Sequence, residues 1–92
     1  MEGKLGIIIL NYNGLNDTVS LLDSIWENVT RVSYSLIVVD NASENHEADF
    51  LESMYGDRIT VLRSEFNCGY AAGNNIGLRY AVENGIEYLC IL

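Results

Sequence analysis

The runs "KLGIIIL" (residues 4–10) and "YSLIVVD" (34–40) set branched apolar residues side by side with no polar alternation. A strand with one wet face alternates, so runs of this kind belong to strands covered on both faces, as in a parallel sheet. "RITVLR" (58–63) and "IEYLCIL" (86–92) read as a third and a fourth strand. Between the strands the pattern changes period. "DTVSLLDSIWENV" (17–29) carries Val19, Leu22, Ile25, Trp26 and Val29 along one helical face, with Asn16 or Asp17 as the expected N-cap. "HEADFLESMYG" (46–56) is a short helix closed by Gly56, and a third helix runs to about Asn84 with Gly85 as its stop. Strands thus recur every ~25 to 30 residues with a helix between, the length of a βαβ unit. The fold class this predicts is α/β: a Rossmann-like parallel sheet of about four strands with flanking helices.

Ninety-two residues, without proline or a low-complexity tract, make one small domain or part of a larger one. A fourth strand with nothing after it leads us to expect residues 1–92 to be a single α/β unit, the opening portion of a longer chain. The formal charge of −8, with five scattered basic residues, argues against nucleic acid or an anionic membrane surface as partner. It leaves room for a phosphate held by backbone amides. Cys68 and Cys90 stand 22 residues apart and form no metal-like pair. Reduced thiols in a cytoplasmic protein are expected. No apolar run approaches the ~20 residues a bilayer span needs.

In an open parallel sheet, ligands sit beyond the carboxyl ends of the strands. Three polar clusters fall at such ends here: Asn11-Tyr12-Asn13, Asp40-Asn41, and the glycine-rich "NCGYAAGNNIG" (67–77). Asp40 either accepts hydrogen bonds from a pyrimidine base or ribose, or caps the loop "DNAS" as an Asx turn. Tyr12 either stacks on a base or packs under its loop, and Asn11 and Asn13 either bond a base edge or close a turn. Gly69 and Gly73 would let a ligand lie against main chain where a helix begins, its negative charge facing the helix N-terminus, while Gly77 suits close helix-to-sheet packing. The spacing G-x3-G-x3-G is neither the dinucleotide fingerprint nor a phosphate loop. His46 and the acid cluster "ENHEADFLE" read as solvated positions.

Taken in order, "IIILNYNG", "LIVVDNAS", "NCGYAAGNNIGLRYA" and "IEYLCIL" resemble the N-terminal nucleotide-binding half of the family 2 glycosyltransferases of GT-A fold. The glycine segment resembles their rhamnosyltransferase-like branch. The resemblance covers nearly the whole chain. It implies transfer of a sugar from a UDP- or dTDP-sugar donor to a hydroxyl of a glycan or lipid-linked acceptor. It also implies work in the cytoplasm or at the cytoplasmic face of a membrane. By this resemblance Asp40 meets the base, and Asn11, Tyr12 and Asn13 wrap base and ribose, beside Asn41. The stretch from Asn67 through Gly69, Gly73 and Asn74 lies along ribose and diphosphate. Many relatives carry arginine where Asn74 stands, leaving here a neutral amide that can donate a hydrogen bond. The family's Asp-X-Asp motif, which holds Mg²⁺ or Mn²⁺, and its catalytic base follow the fourth strand. The resemblance therefore implies binding without turnover for these 92 residues.

Two other readings compete. One is a non-catalytic nucleotide-binding or regulatory module. The other is a receiver- or flavodoxin-type fold, disfavoured because Asn11 and Arg63-Ser64 stand where receivers carry acids. An apolar edge at the fourth strand predicts self-association. The donor-site reading needs three loops on one lip of the sheet, with Asp40 and Gly73 turned to the same side.

Overall fold

The computed structural model describes residues 5–92. Lys4, expected to open the first strand, lies outside the described residues. The elements are β1 (Leu5–Asn11), α1 (Leu15–Asn28), β2 (Tyr34–Asp40), α2 (Glu47–Tyr55), a 3₁₀ turn (Gly56–Arg58), β3 (Thr60–Arg63), α3 (Gly69–Glu83) and β4 (Tyr88–Ile91). All pairings are parallel and the strand order is β3-β2-β1-β4. The α/β class and the four-stranded parallel sheet are as the apolar runs predict.

The missing alternation in β1 and β2 has its cause in two separate cores. Ile7, Ile9, Leu36 and Val38 face α1 and α2, where Leu22, Ile25, Leu51 and Tyr55 meet them. Ile8, Ile37 and Val39 face the other way, onto Ala81, Ile76 and Leu78 of α3. Each strand therefore buries both sets of side chains, and Ile37, Val38 and Val39 have no exposed surface at all. Truncating a residue at such a site, Leu22→Ala for instance, costs about 2–5 kcal/mol.

Local expectations fail at three places. Helix α1 starts at Leu15 with Gly14 in the cap position, rather than with Asn16 or Asp17 as cap. The Gly14 carbonyl already accepts the Thr18 amide at 3.0 Å, so the helix opens earlier. Strand β3 begins at Thr60, because Gly56–Arg58 tighten into a turn after Gly56, which adopts φ +54°. The third is Gly73, expected to lie open to a ligand: it sits inside α3 with Gly69 and Gly77 and lies against the sheet, as expected of Gly77. A Cβ on Gly73 would stand 2.7 Å from Leu10 Cδ1, and one on Gly77 would stand 2.9 Å from Ile8 Cγ2. What comes too close for side chains is the protein's own sheet. Helical glycine costs about 1 kcal/mol against alanine, and the close seating of α3 on β1 and β2 offsets it.

Candidate functional site

The carboxyl ends of β1, β2 and β3 carry the loops that hold the polar clusters. The first knot is built on Asn11, which is 1% exposed. Its Nδ2 donates to Asp40 Oδ1 and to Glu47 Oε1, both at 2.9 Å, and reaches Ser43 Oγ at 3.2 Å. Its Oδ1 accepts from Thr18 Oγ1 at 2.6 Å. One amide thereby joins β1, β2, α1 and α2. Asp40 Oδ2 accepts the Ser43 amide at 3.2 Å, the turn-capping role open to it from sequence. The Asn13 amide donates to Ser43 Oγ at 2.9 Å, and Asn13 Oδ1 accepts the Glu44 amide at 2.8 Å. The loops after β1 and β2 are thus stitched to each other. Tyr12, on the loop after β1, is about half exposed.

A second knot is built on Asn41, also buried. Its Nδ2 donates to Asn67 Oδ1 at 3.0 Å and to the Gly69 carbonyl at 3.2 Å, while its Oδ1 accepts the Cys68 amide at 3.1 Å. Asn67 Oδ1 also accepts the Gly69 amide at 2.9 Å. Asn41 therefore ties β2 to the start of α3, which has Cys68 in the cap position, no side-chain cap and no acidic residue in its first turn. The Cys68 and Gly69 amides are taken by these asparagines, and the next amides of the first turn, which have no partner within the helix, carry a partial positive charge at the rim.

The two knots share a rim but not a face. Residues alternate across a strand, so Asp40 follows Val38 toward α1 and α2 while Asn41 follows Val39 toward α3. Gly73 lies on the Asn41 side, where the Leu10 and Asn41 side chains fill the space a Cβ would need. The expectation that Asp40 and Gly73 turn to the same side is therefore not met. Asp40 faces the first knot, and Gly73 serves the approach of helix to sheet. Asn74 is buried beside it, its side-chain oxygen without a partner.

Ser43, Thr18 and Glu47 were missed as site-building residues, and Cys68 enters through its backbone amide and its thiol, both donating to Asn41 Oδ1. Glu47 belongs to the acid cluster read as solvated, yet it is partly buried against Asn11. Only Ser43 left a sequence trace, in the turn-like "DNAS". Among the described residues, every non-glycine position with positive φ lies in the rim loops: Asn13, Ala42, Asn45 and His46. Such strain costs about 1–3 kcal/mol per residue and persists where surrounding contacts over-determine it. Arg63, at the end of β3, is held by Asp49 and Glu52 at 2.6 Å each, which raises its own proton affinity and lowers the pKa of Glu52.

A recess of about 330 Å³ opens at the rim between Asp40, Ser43, His46, Arg63 and Ser64. A cavity of about 610 Å³ lies at the opposite, amino end of the sheet, between Tyr34, Arg58, Thr60, Tyr80 and Asn84. It touches none of the rim residues, and α/β sheets bind ligands at their carboxyl ends. We therefore place the site at the rim. No three acidic, histidine or cysteine side chains among the described residues gather as a metal site.

A four-stranded parallel sheet with helices on both faces and polar loops stitched along its carboxyl rim defines an α/β protein of Rossmann-like fold. The chain belongs to glycosyl transferase family 2, which it matches over residues 6–92. It is 35% identical over 85 residues to an uncharacterized glycosyltransferase of Haemophilus influenzae, covering 92% of this chain and 28% of that protein. It is 32% identical over 83 residues to the low-salt glycan biosynthesis hexosyltransferase Agl10 of Haloferax volcanii, covering 90% of this chain and 24% of that one. The chain thus spans about a quarter of the length of these relatives. The fold is similar to that of the mannosyltransferase PcManGT from Pyrobaculum calidifontis, solved in complex with GDP-Man and Mn²⁺. The match has a TM-score of 0.68 and 24% identity over 87% of this chain and 25% of that chain.

Proposed function

We propose that these residues form the donor-binding part of a glycosyltransferase that moves a hexosyl group from a nucleotide diphosphate sugar to an acceptor hydroxyl. Because Asp40 and Gly73 turn to opposite faces, a single floor spanning both is given up, and the observation that carries this narrower reading is the second knot. Asn41 and Asn67 fix the start of a 15-residue helix by accepting the Cys68 and Gly69 amides, and no acid stands in its first turn, at the carboxyl rim of a parallel sheet. A diphosphate finds oriented amides there. Tyr12, about half exposed on the neighbouring loop, offers a ring on which a base can stack.

The nine candidate residues divide by role. Asn41, Asn67 and Gly69 shape the helix start, with Gly73 seating it on the sheet and Asn74 behind it. Asn11, Asn13 and Asp40 hold the loops from which Tyr12 projects. In this reading Asp40 acts by fixing Asn11 and Ser43. The two carboxylates of this knot, Asp40 and Glu47, are both engaged by Asn11, and we assign the described residues to binding rather than to the chemical step. The donor we propose is a pyrimidine one, a UDP- or dTDP-sugar of the kind the rhamnosyltransferase-like glycine segment suggests. The acceptor would be a glycan or a lipid-linked glycan met in the cytoplasm or at its membrane face. A divalent cation, Mg²⁺ or Mn²⁺, belongs to this reaction class, but the described residues do not fit one.

Calorimetric titration with UDP, dTDP and GDP tests the reading. Saturable binding of a pyrimidine diphosphate is expected, with at least tenfold weaker binding by Asp40→Ala, whose loops lose their shared anchor. Preference for GDP would overturn the pyrimidine assignment, and no binding of any of the three would overturn the donor-site reading.

A further inference from the structure

Asn-Gly occurs twice in the chain, at Asn13-Gly14 and at Asn84-Gly85. With no Cβ on its second residue, such a pair lets the glycine nitrogen close on the asparagine side chain. Both asparagines are exposed, so water reaches both. The fold treats the two pairs differently. At the end of α3, the Gly85 amide donates to the Val82 carbonyl at 3.3 Å, and Asn84 Nδ2 donates to the Tyr80 carbonyl at 2.8 Å. Nucleophile and leaving group are both held there.

At the rim the nucleophile is loose. The Gly14 amide has no hydrogen-bond partner among the described residues. Gly14 stands in the cap position of α1, where the partial positive charge of the helix eases loss of an amide proton. A Cβ on it would meet only the Tyr12 carbonyl, at 3.6 Å, so the space around it is open. Asn13 Oδ1 accepts the Glu44 amide at 2.8 Å, and that donor meets the negative charge that builds on the oxygen as a nitrogen adds to Cγ. The departing nitrogen, Nδ2, is tethered by the Glu44 carboxylate at 3.3 Å, a long and exposed contact.

We propose that Asn13-Gly14 is a self-modifying site, at which the chain itself is the substrate and water the only co-reactant. The Gly14 amide gives its proton to solvent and its nitrogen adds to Asn13 Cγ. The Cγ–Nδ2 bond breaks, and Nδ2 leaves as ammonia with a proton from water. Water then opens the resulting five-membered imide. Opening at the side-chain carbonyl gives aspartate. Opening at the main-chain carbonyl gives isoaspartate, which adds one carbon to the backbone between Tyr12 and Gly14. Either product sets a carboxylate against Glu44 where an amide had donated to it, and so loosens the seam between the loops after β1 and β2. That Tyr12 then loses its setting for a nucleotide rests on the donor-binding reading above; the chemical step does not.

Wild type is held at mildly alkaline pH, folded and in urea, and both pairs are followed by peptide mass spectrometry, with isoaspartate counted by enzymatic methylation. In the folded chain, conversion at Asn13 is expected to run about tenfold ahead of Asn84, the factor that one hydrogen bond and a helix-terminus field together supply. In urea the two rates should converge, and Gly14→Ala should slow Asn13 alone. Equal or faster conversion at Asn84 in the folded chain overturns the inference. So does a gap that persists in urea, which would owe nothing to the fold. The aged, more acidic fraction is then separated by ion exchange and titrated with UDP, dTDP and GDP. Its affinity is expected to be about threefold below that of fresh protein, as for one weak hydrogen bond. Undiminished affinity overturns the effect on the donor loop. If fresh protein binds none of the three, the donor-site reading falls, while conversion at Asn13 stands on the mass data.

Discussion

Gly77 shows how much one missing methyl group decides. A Cβ there would meet Ile8 Cγ2 at 2.9 Å, Ile8 Cδ1 at 3.2 Å and Val39 Cγ2 at 3.2 Å, all in the fully buried centre of the sheet. Alanine would gain about 1 kcal/mol of helix propensity, but overpacking a tight core costs about 1–3 kcal/mol. The contact is with two side chains that have nowhere to move, so the clash wins. Gly77→Ala is therefore expected to lower the melting temperature by several degrees, at about 4–8 °C per kcal/mol for a domain of this size. Thermal unfolding followed by circular dichroism checks this, and a rise in melting temperature would show that α3 sits further from the sheet. The sequence reading gave Gly77 this packing role, and its error lay at Gly73, which it left open to a ligand. The Leu10 and Asn41 side chains that fill the space over Gly73 lie some sixty and thirty positions away in the chain, so nothing local announces them.

Among the elements, the strands were legible because burial on both faces writes itself as unbroken apolar runs. Helix α1 was legible from its period, although its start was not, because the Gly14 carbonyl accepts the Thr18 amide and the helix opens ahead of the expected Asn16 or Asp17 cap. The polar clusters were correctly placed at strand ends. Their division into two knots follows from parity along β2, which puts neighbours Asp40 and Asn41 on opposite faces. Contacts such as Asn11 to Glu47 join residues 36 apart and leave no local trace. The link between α2 and β3 carries its own prediction. Arg63 lowers the pKa of Glu52 below its ordinary 4.5, chiefly through their hydrogen bond. A carboxylate whose folded pKa is depressed contributes stability fully above its unfolded pKa, and that contribution is lost as pH falls through the folded value. Wild type should therefore lose more stability than Glu52→Gln as pH drops from about 5 toward 3, and the two should run parallel above pH 6. Urea midpoints measured across that range decide it. Parallel curves throughout would mean the pair contributes nothing, a common outcome at exposed positions.

For the whole molecule, the sheet is unevenly covered. Strand β2 is enclosed on both faces, whereas Tyr88, Leu89, Ile91 and Leu92 at the β4 end are exposed. Strand β4 pairs with β1 along one edge, through Leu5–Ile8 and Tyr88–Ile91. An exposed apolar edge of this kind invites pairing with another chain. We expect the 92-residue chain to self-associate with rising concentration, and size-exclusion chromatography with light scattering should show it. A single monomeric species at high concentration would contradict the prediction, and lysine at Leu89 or Ile91 should shift the equilibrium toward monomer.

The bare backbone of Gly73 and Gly77 has a consequence for how such a protein can be tuned. With no side chains as spacers, the height of the α3 mouth above the sheet is set by the bulk of Ile8 and Leu10, one storey below. Trimming either residue would lower that mouth and shift every amide it presents, so in the proposed donor site nucleotide affinity would be adjusted from inside the hydrophobic layer.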